Sequence, residues 1–244
     1  MGLGSVLAAA GDLVLPDSCA GCGRPGVTVC TGCRAQLCDL ALPVLGPLAP
    51  YPVPAGWPGC YATLRYAGVA ASLARAFKDE DRRDLVDVLG RLLADAVRRA
   101  VPQGGSGDSG GPALVVPVPS SPAAIRRRGD RPMLLLARRA ARLLGSDVAV
   151  EAGLDLGRGT ADQAGLDRAA RLANLDGAMT TRRPHRIRGR HVVLVDDVLT
   201  SGATLTEGRR ALLEAGASRV DLAVAMVTPH RSPTSALPFR PGPD

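Results

Sequence analysis

From residue 61 onward, short aliphatic runs alternate with segments whose apolar positions recur every three or four residues. Residues 61–66 have the pattern of a strand and 69–77 that of a helix. Leu85, Val88, Leu89, Leu92, Leu93 and Val97 then line one face of an amphipathic helix. Residues 113–118 form a second strand of the buried type, 132–144 a helix, and 148–151 a short strand. An aliphatic strand at 191–196 follows, then a helix at 203–215 that stops at Gly216, and a last strand at 219–227. Repeated strand, helix, strand order predicts an α/β fold with a mainly parallel sheet flanked by helices.

The intervening segments are of other kinds. Residues 40–64 carry no charge, but Pro43, Pro47, Pro50, Pro52, Pro54 and Pro58 forbid a spanning helix there, and the stretch reads as an extended connector. Residues 103–112 are almost all Gly, Ser, Asp and Pro, a loop that cannot build a core. The 244 residues therefore divide into an N-terminal module with its connector at 1–60, a globular domain at 61–228 and an irregular tail at 229–244. The first basic residue is Arg24, which suits no secretory leader, so a cytoplasmic protein is expected.

Charge adds a location. The net charge is +7, and residues 101–150 contribute +4 and 151–191 a further +3, while the rest nearly cancels. A cationic surface there predicts an anionic partner: nucleic acid, a phosphorylated small molecule or a membrane surface. Aromatic residues make up only 2% of the chain, so stacking on single-stranded bases has few candidates.

The most informative run is residues 191–205. A strand ends in Asp196 and Asp197, and Thr200, Ser201, Gly202, Ala203 and Thr204 then open a helix. Small residues at such a turn let backbone N–H groups converge, and the helix N-terminus adds partial positive charge, so the turn predicts a phosphate cradle. The two carboxylates suit sugar hydroxyls or a Mg²⁺ ion. In the plainer alternative they are turn residues, and Thr200 or Ser201 caps the helix. No Lys follows the glycine, so this is not a Walker A loop.

Cys19 and Cys22, with Cys30 and Cys33, form two C-x-x-C pairs separated by seven residues. Four thiolates suit a tetrahedral structural Zn²⁺. Disulfides are the alternative, disfavoured in a reducing compartment, and an iron–sulfur cluster is a third. Cys38 and Cys60 lie outside the quartet as ordinary thiols.

Residues 194–205 resemble the 5-phosphoribosyl 1-diphosphate (PRPP) motif of the type I phosphoribosyltransferases. With the Cys₄ module before that motif, and with residues 66–68, 76–78, 116–119 and 126–129 and Gln163, Arg171 and Asn174 in this order, the chain resembles the ComF family, which is associated with DNA uptake in bacterial competence. The resemblance implies a phosphoribosyltransferase-like fold, PRPP with Mg²⁺ as ligand, and pentosyl transfer that releases pyrophosphate. It implies that Asp196 and Asp197 hold the ribose hydroxyls, that residues 200–204 hold the 5′-phosphate, and that Lys78 faces the cleft. Arg126, Arg127, Arg128 and Arg131 follow the second strand, where guanidinium groups suit a diphosphate; Arg128 is the favoured contact. Asp130 departs from the family pattern, and an acid there would repel pyrophosphate if it pointed inward. A second basic run, Arg182, Arg183, Arg186, Arg188 and Arg190, offers phosphate contacts to single-stranded DNA, the alternative function. Competence proteins are possible partners under the same resemblance.

Overall fold

A computed structural model describes residues 18–43, 46–101, 111–120, 125, 126, 129–157 and 177–228. Its centre is a five-stranded sheet of β1 (Cys60–Arg65), β2 (Ala113–Pro117), β3 (Val148–Val150), β6 (His191–Leu199) and β7 (Arg219–Val227). The order is β1-β7-β6-β2-β3, and all four pairings are parallel. Strands buried on both faces need continuous aliphatic runs, which is why Val192 to Val195 and Leu222 to Met226 are almost wholly inaccessible.

Six helices accompany the strands among the described residues: α1 (Thr31–Asp39), α2 (Gly68–Asp79), α3 (Val86–Ala100), α4 (Pro132–Leu144), α5 (Pro184–Ile187) and α6 (Ala203–Glu214). From β1 and β2 the chain crosses toward the β3 edge, whereas from β6 it crosses back toward β1. Right-handed crossovers in opposite directions put α3 and α4 on one face and α6 on the other. Helices α3 and α4 meet at Gly90, where an added Cβ would lie 2.4 Å from Arg139 Cγ. Leu89, Leu93 and Val97 of α3 seal the core, and truncating one of them to Ala should cost about 2–5 kcal/mol.

The expected elements all occur, with shifts of a few residues at their ends. The largest is in β6, which continues to Leu199 because Val198 and Leu199 still pair with Met226 and Val227. Asp196 and Asp197 therefore lie within the strand and not at its end. An antiparallel pair outside the main sheet, β4 (Leu154–Leu156) with β5 (Met179–Thr181), has no counterpart among the expected elements. It is docked on α6 by Glu207, which accepts from the Met179 N–H at 2.8 Å and from Arg210, while Arg210 also donates to the Met179 carbonyl.

The Pro-rich connector runs along the otherwise open edge of β1. Ala41 bridges Leu64 and Leu48 bridges Cys60, which satisfies an edge that would otherwise invite another chain.

The topology locates a crevice. Chain connections leave β2 in one direction and β6 in the other, so the carboxyl ends of these neighbouring strands flank the switch point where open α/β sheets bind ligands.

Candidate functional site

On the β6 side of the crevice, residues 198–205 line a cavity of ≈ 190 Å³ with Asp196, Asp197 and Lys78. Gly202 is the N-cap of α6 and has φ +77°, a conformation that costs glycine little. No side chain caps this helix. Ser201 Oγ accepts a 3.4 Å hydrogen bond from the Ala203 N–H, the first of the helix. The helix N-terminus, with its partial positive charge, lines the cavity.

Lys78, near the C-terminus of α2, spans the mouth of this cavity. Its Nζ lies 2.8 Å from Oδ1 and 2.7 Å from Oδ2 of the buried Asp197. Burial opposes the ammonium charge, but Asp197 and then Asp196 outweigh it and hold Lys78 above its ordinary range. Asp196 behaves differently. Burial, followed by the negative charge of Asp197, pushes its carboxyl up to about 8, and Lys78 offsets this only in part. Lys78 thus pairs with Asp197, while Asp196 is pushed toward its neutral form. Both effects reduce the negative charge that would repel an anion there, and the carboxyl oxygens still accept from hydroxyls.

The β2 side is built from arginine. Residues 117–120, Ile125, Arg126, Arg131, Leu134, Ala152, residues 154–156 and Arg182 line a cavity of ≈ 410 Å³ under the β4–β5 pair. Arg182 is ion-paired with Asp155, whereas Arg126 and Arg131 have no ion pair among the described residues. Asp130 does not turn toward this cavity: it accepts from Arg83 Nε at 2.6 Å and Nη2 at 2.9 Å, and the Arg83 guanidinium lies 5.3 Å from the Phe77 ring centre. Its expected repulsion of a diphosphate is thereby cancelled. Arg127, Arg128, Gln163, Arg171 and Asn174 lie outside the described residues.

The second basic run is partly consumed within the fold. Arg186 pairs with Glu151 at 3.2 Å and Arg190 donates to the Pro112 carbonyl at 2.6 Å, while Arg183, His185 and Arg188 have no ion pair among the described residues.

The four N-terminal cysteines come together with all four ligand sulfurs within 4.8 Å of one another, and three of the residues are buried. Tetrahedral Zn–S bonds of about 2.3 Å put sulfurs roughly 3.8 Å apart, and the Cys22 and Cys30 Sγ atoms are 3.6 Å apart. Burial works against ionising Cys19, but N–H donors from Cys30, Cys22 and Gly21 prevail and lower its thiol to about 6. This set could hold a metal such as zinc, which would tie the two knuckles together. Cys38 and Cys60 are free thiols, exposed and buried respectively.

Sequence reasoning missed two contributors. One is the β4–β5 pair, whose three-residue strands are too short for periodicity to reveal. The other is Trp57, which lies against Gly202. No helix among the described residues is long and apolar enough to cross a membrane.

A model of the phosphoribosyl transferase domain matches residues 134–237. The DNA utilization protein YhgH of Escherichia coli (strain K12) is 31% identical over 204 residues, spanning 84% of this chain and 86% of that protein. This chain belongs to the ComF family. Its fold is that of the type I phosphoribosyltransferases, with the cysteine cluster preceding it. The bifunctional protein PyrR 1 of Lactiplantibacillus plantarum is 38% identical over 118 residues, or 48% of this ComF chain and 61% of that protein. Among solved structures, a glutamine PRPP amidotransferase from B. subtilis overlaps 56% of this chain and 25% of its own at 22% identity, with a TM-score of 0.35.

Proposed function

We propose that the switch-point crevice binds PRPP or a closely related phosphoribosyl ligand and supports pentosyl transfer with loss of pyrophosphate. The 5′-phosphate sits on residues 200–204, and the ribose hydroxyls meet Asp196 and Asp197. The diphosphate reaches toward Arg126 and Arg131, with Arg128 between them in sequence. The observation that carries this reading is a single cavity lined by the N-terminus of α6, Asp196 and the Lys78–Asp197 ion pair. It accepts a phosphate and a diol together, which an ordinary capped turn does not.

Mg²⁺ needs hard, ionised oxygens. Asp196 favours its neutral form and Asp197 is held by Lys78, so the described residues alone do not make a Mg²⁺ cage. In this reading the ion enters with the diphosphate, whose own oxygens supply the donors.

The chain's part in the chemistry is positional. Anchoring phosphate and diol fixes the anomeric carbon, and Arg126 and Arg131 stabilise charge developing on the leaving diphosphate. Isothermal calorimetry and thermal denaturation with PRPP, with and without Mg²⁺, test this. Binding with thermal stabilisation is expected. A folded, metal-loaded protein that shows neither sinks the reading.

A second reading rests on Arg183, His185 and Arg188, which have no ion pair among the described residues, and on relatives named for DNA utilization. It is a surface for single-stranded DNA. Binding should weaken with salt and fall when Arg182, Arg183, Arg186 and Arg188 are replaced by Ala; unchanged binding would remove this surface from consideration.

A further inference from the structure

The chain has one tryptophan, and its ring lies on the phosphate loop. A Cβ added to Gly202 would sit 3.0 Å from Trp57 Cζ3, 3.1 Å from Cη2 and 2.8 Å from Pro50 Cγ. The loop is therefore clamped at its left-handed residue by two side chains of the connector. Trp57 is only 6% exposed.

Its position is set from several directions. The Nε1–H donates to the Leu48 carbonyl at 2.9 Å, and the Trp57 N–H donates to the Pro54 carbonyl at 3.2 Å. Leu48 in turn exchanges two 2.7 Å hydrogen bonds with Cys60, the first residue of β1. Prolines at positions 50, 52, 54 and 58 fix φ along the segment, so little chain entropy is lost in holding the ring in place.

A core tryptophan that merely fills space packs on side chains. This one packs on the backbone of the residue whose φ of +77° aims the following N–H groups. We propose that Trp57 is a positioning residue for phosphate recognition: by pressing on Gly202 it holds the turn that sets the N-terminus of α6 at the cradle. The connector is then part of the site and not a tether to the cysteine module. This inference rests on the phosphoribosyl reading above.

The full-length, metal-loaded chain offers a direct test, because Trp57 is its sole source of tryptophan emission. Calorimetry measures affinity for inorganic phosphate and for PRPP in the wild type, Trp57→Phe, Trp57→Leu and Trp57→Ala. In parallel, emission follows the same titrations of the wild type. Emission should change on saturation. Trp57→Ala and Trp57→Leu should lose about 10-fold or more in affinity for both ligands, and Trp57→Phe, which keeps a flat ring on Gly202, should stay within about 3-fold. Trp57→Leu retains apolar bulk and carries the comparison should Trp57→Ala not fold. A wild type that binds neither ligand overturns the phosphoribosyl reading itself. A wild type that binds, with Trp57→Leu within about 2-fold of it or with emission unmoved, overturns the role of Trp57 alone.

Discussion

The two sides of the crevice solve opposite electrostatic problems. On the β6 side, Lys78 matches the charge of Asp197, Asp196 is pushed toward its neutral form, and recognition falls to a clamped turn at a helix N-terminus. On the β2 side, guanidinium groups without ion pairs face a larger cavity, and the one nearby acid, Asp130, is withdrawn into a pair with Arg83. The β6 side is thus preorganised and nearly neutral, the β2 side open and cationic. A phosphate monoester suits the first and a diphosphate the second.

The sides also differ in what supports them. The cysteine module rests on α2, which carries Lys78: a Cβ on Gly21 would lie 3.0 Å from Val69 Cγ1, and Arg82 Nη2 donates to the Ser18 carbonyl at 2.8 Å. The module also continues into the connector that carries Trp57. On the β2 side the α2 region reaches only Asp130, through Arg83.

Metal removal should therefore separate the halves. Chelation, or Cys33→Ser, should unfold the module, since structural zinc contributes about 10 kcal/mol or more to such folds. Phosphate affinity should fall about 100-fold, while pyrophosphate affinity falls much less; calorimetry before and after chelation reads both. Equal losses would break the comparison. Gly202→Val acts on the β6 side alone. It meets Pro50 and Trp57 and adds strain at positive φ, so it should abolish measurable phosphate binding and lower stability by about 1–3 kcal/mol.

Arg126→Ala with Arg131→Ala should do the reverse. PRPP affinity drops on the order of 10-fold to 100-fold, ribose 5-phosphate affinity stays within about 2-fold, and stability hardly moves. A matching loss for ribose 5-phosphate would place these arginines at the monoester.

The smallest effect concerns Asp196, which titrates near 8 when folded against 3.8 for a free aspartate. Between those values the unfolded chain releases a proton that the native chain keeps, so this group's contribution to stability falls as pH rises from 4 to 8. Asp196→Asn cannot ionise. It should gain stability relative to wild type at pH 8 and almost none at pH 4, as read by denaturant melts at both. An equal difference at the two pH values would show that Asp196 ionises freely and that the cradle is anionic.

Long elements were legible because their periodicity is long: α3, α4 and β7 occur almost where their apolar spacing puts them. Asp196, Asp197 and residues 200–204 were legible because one continuous strand and turn carries them. Lys78 reaches this cavity, and Trp57 the turn at Gly202, from 119 or more residues away in sequence. Trp57 was hidden because a proline-rich stretch carries no period, and Lys78 could be placed only through the family pattern. The β4–β5 pair was hidden because three residues cannot display an alternation.

Residue order alone determined the parallel α/β plan, the cysteine quartet and the turn that opens α6, since each depends on neighbours a few positions apart. It also placed two acids beside a phosphate cradle, which on charge alone looks repulsive. Only the tertiary structure removed that conflict. It brought Lys78 to Asp197, pushed the Asp196 carboxyl toward its neutral form, and laid Trp57 on Gly202, because burial and long-range pairing, unlike periodicity, exist only once the chain has folded.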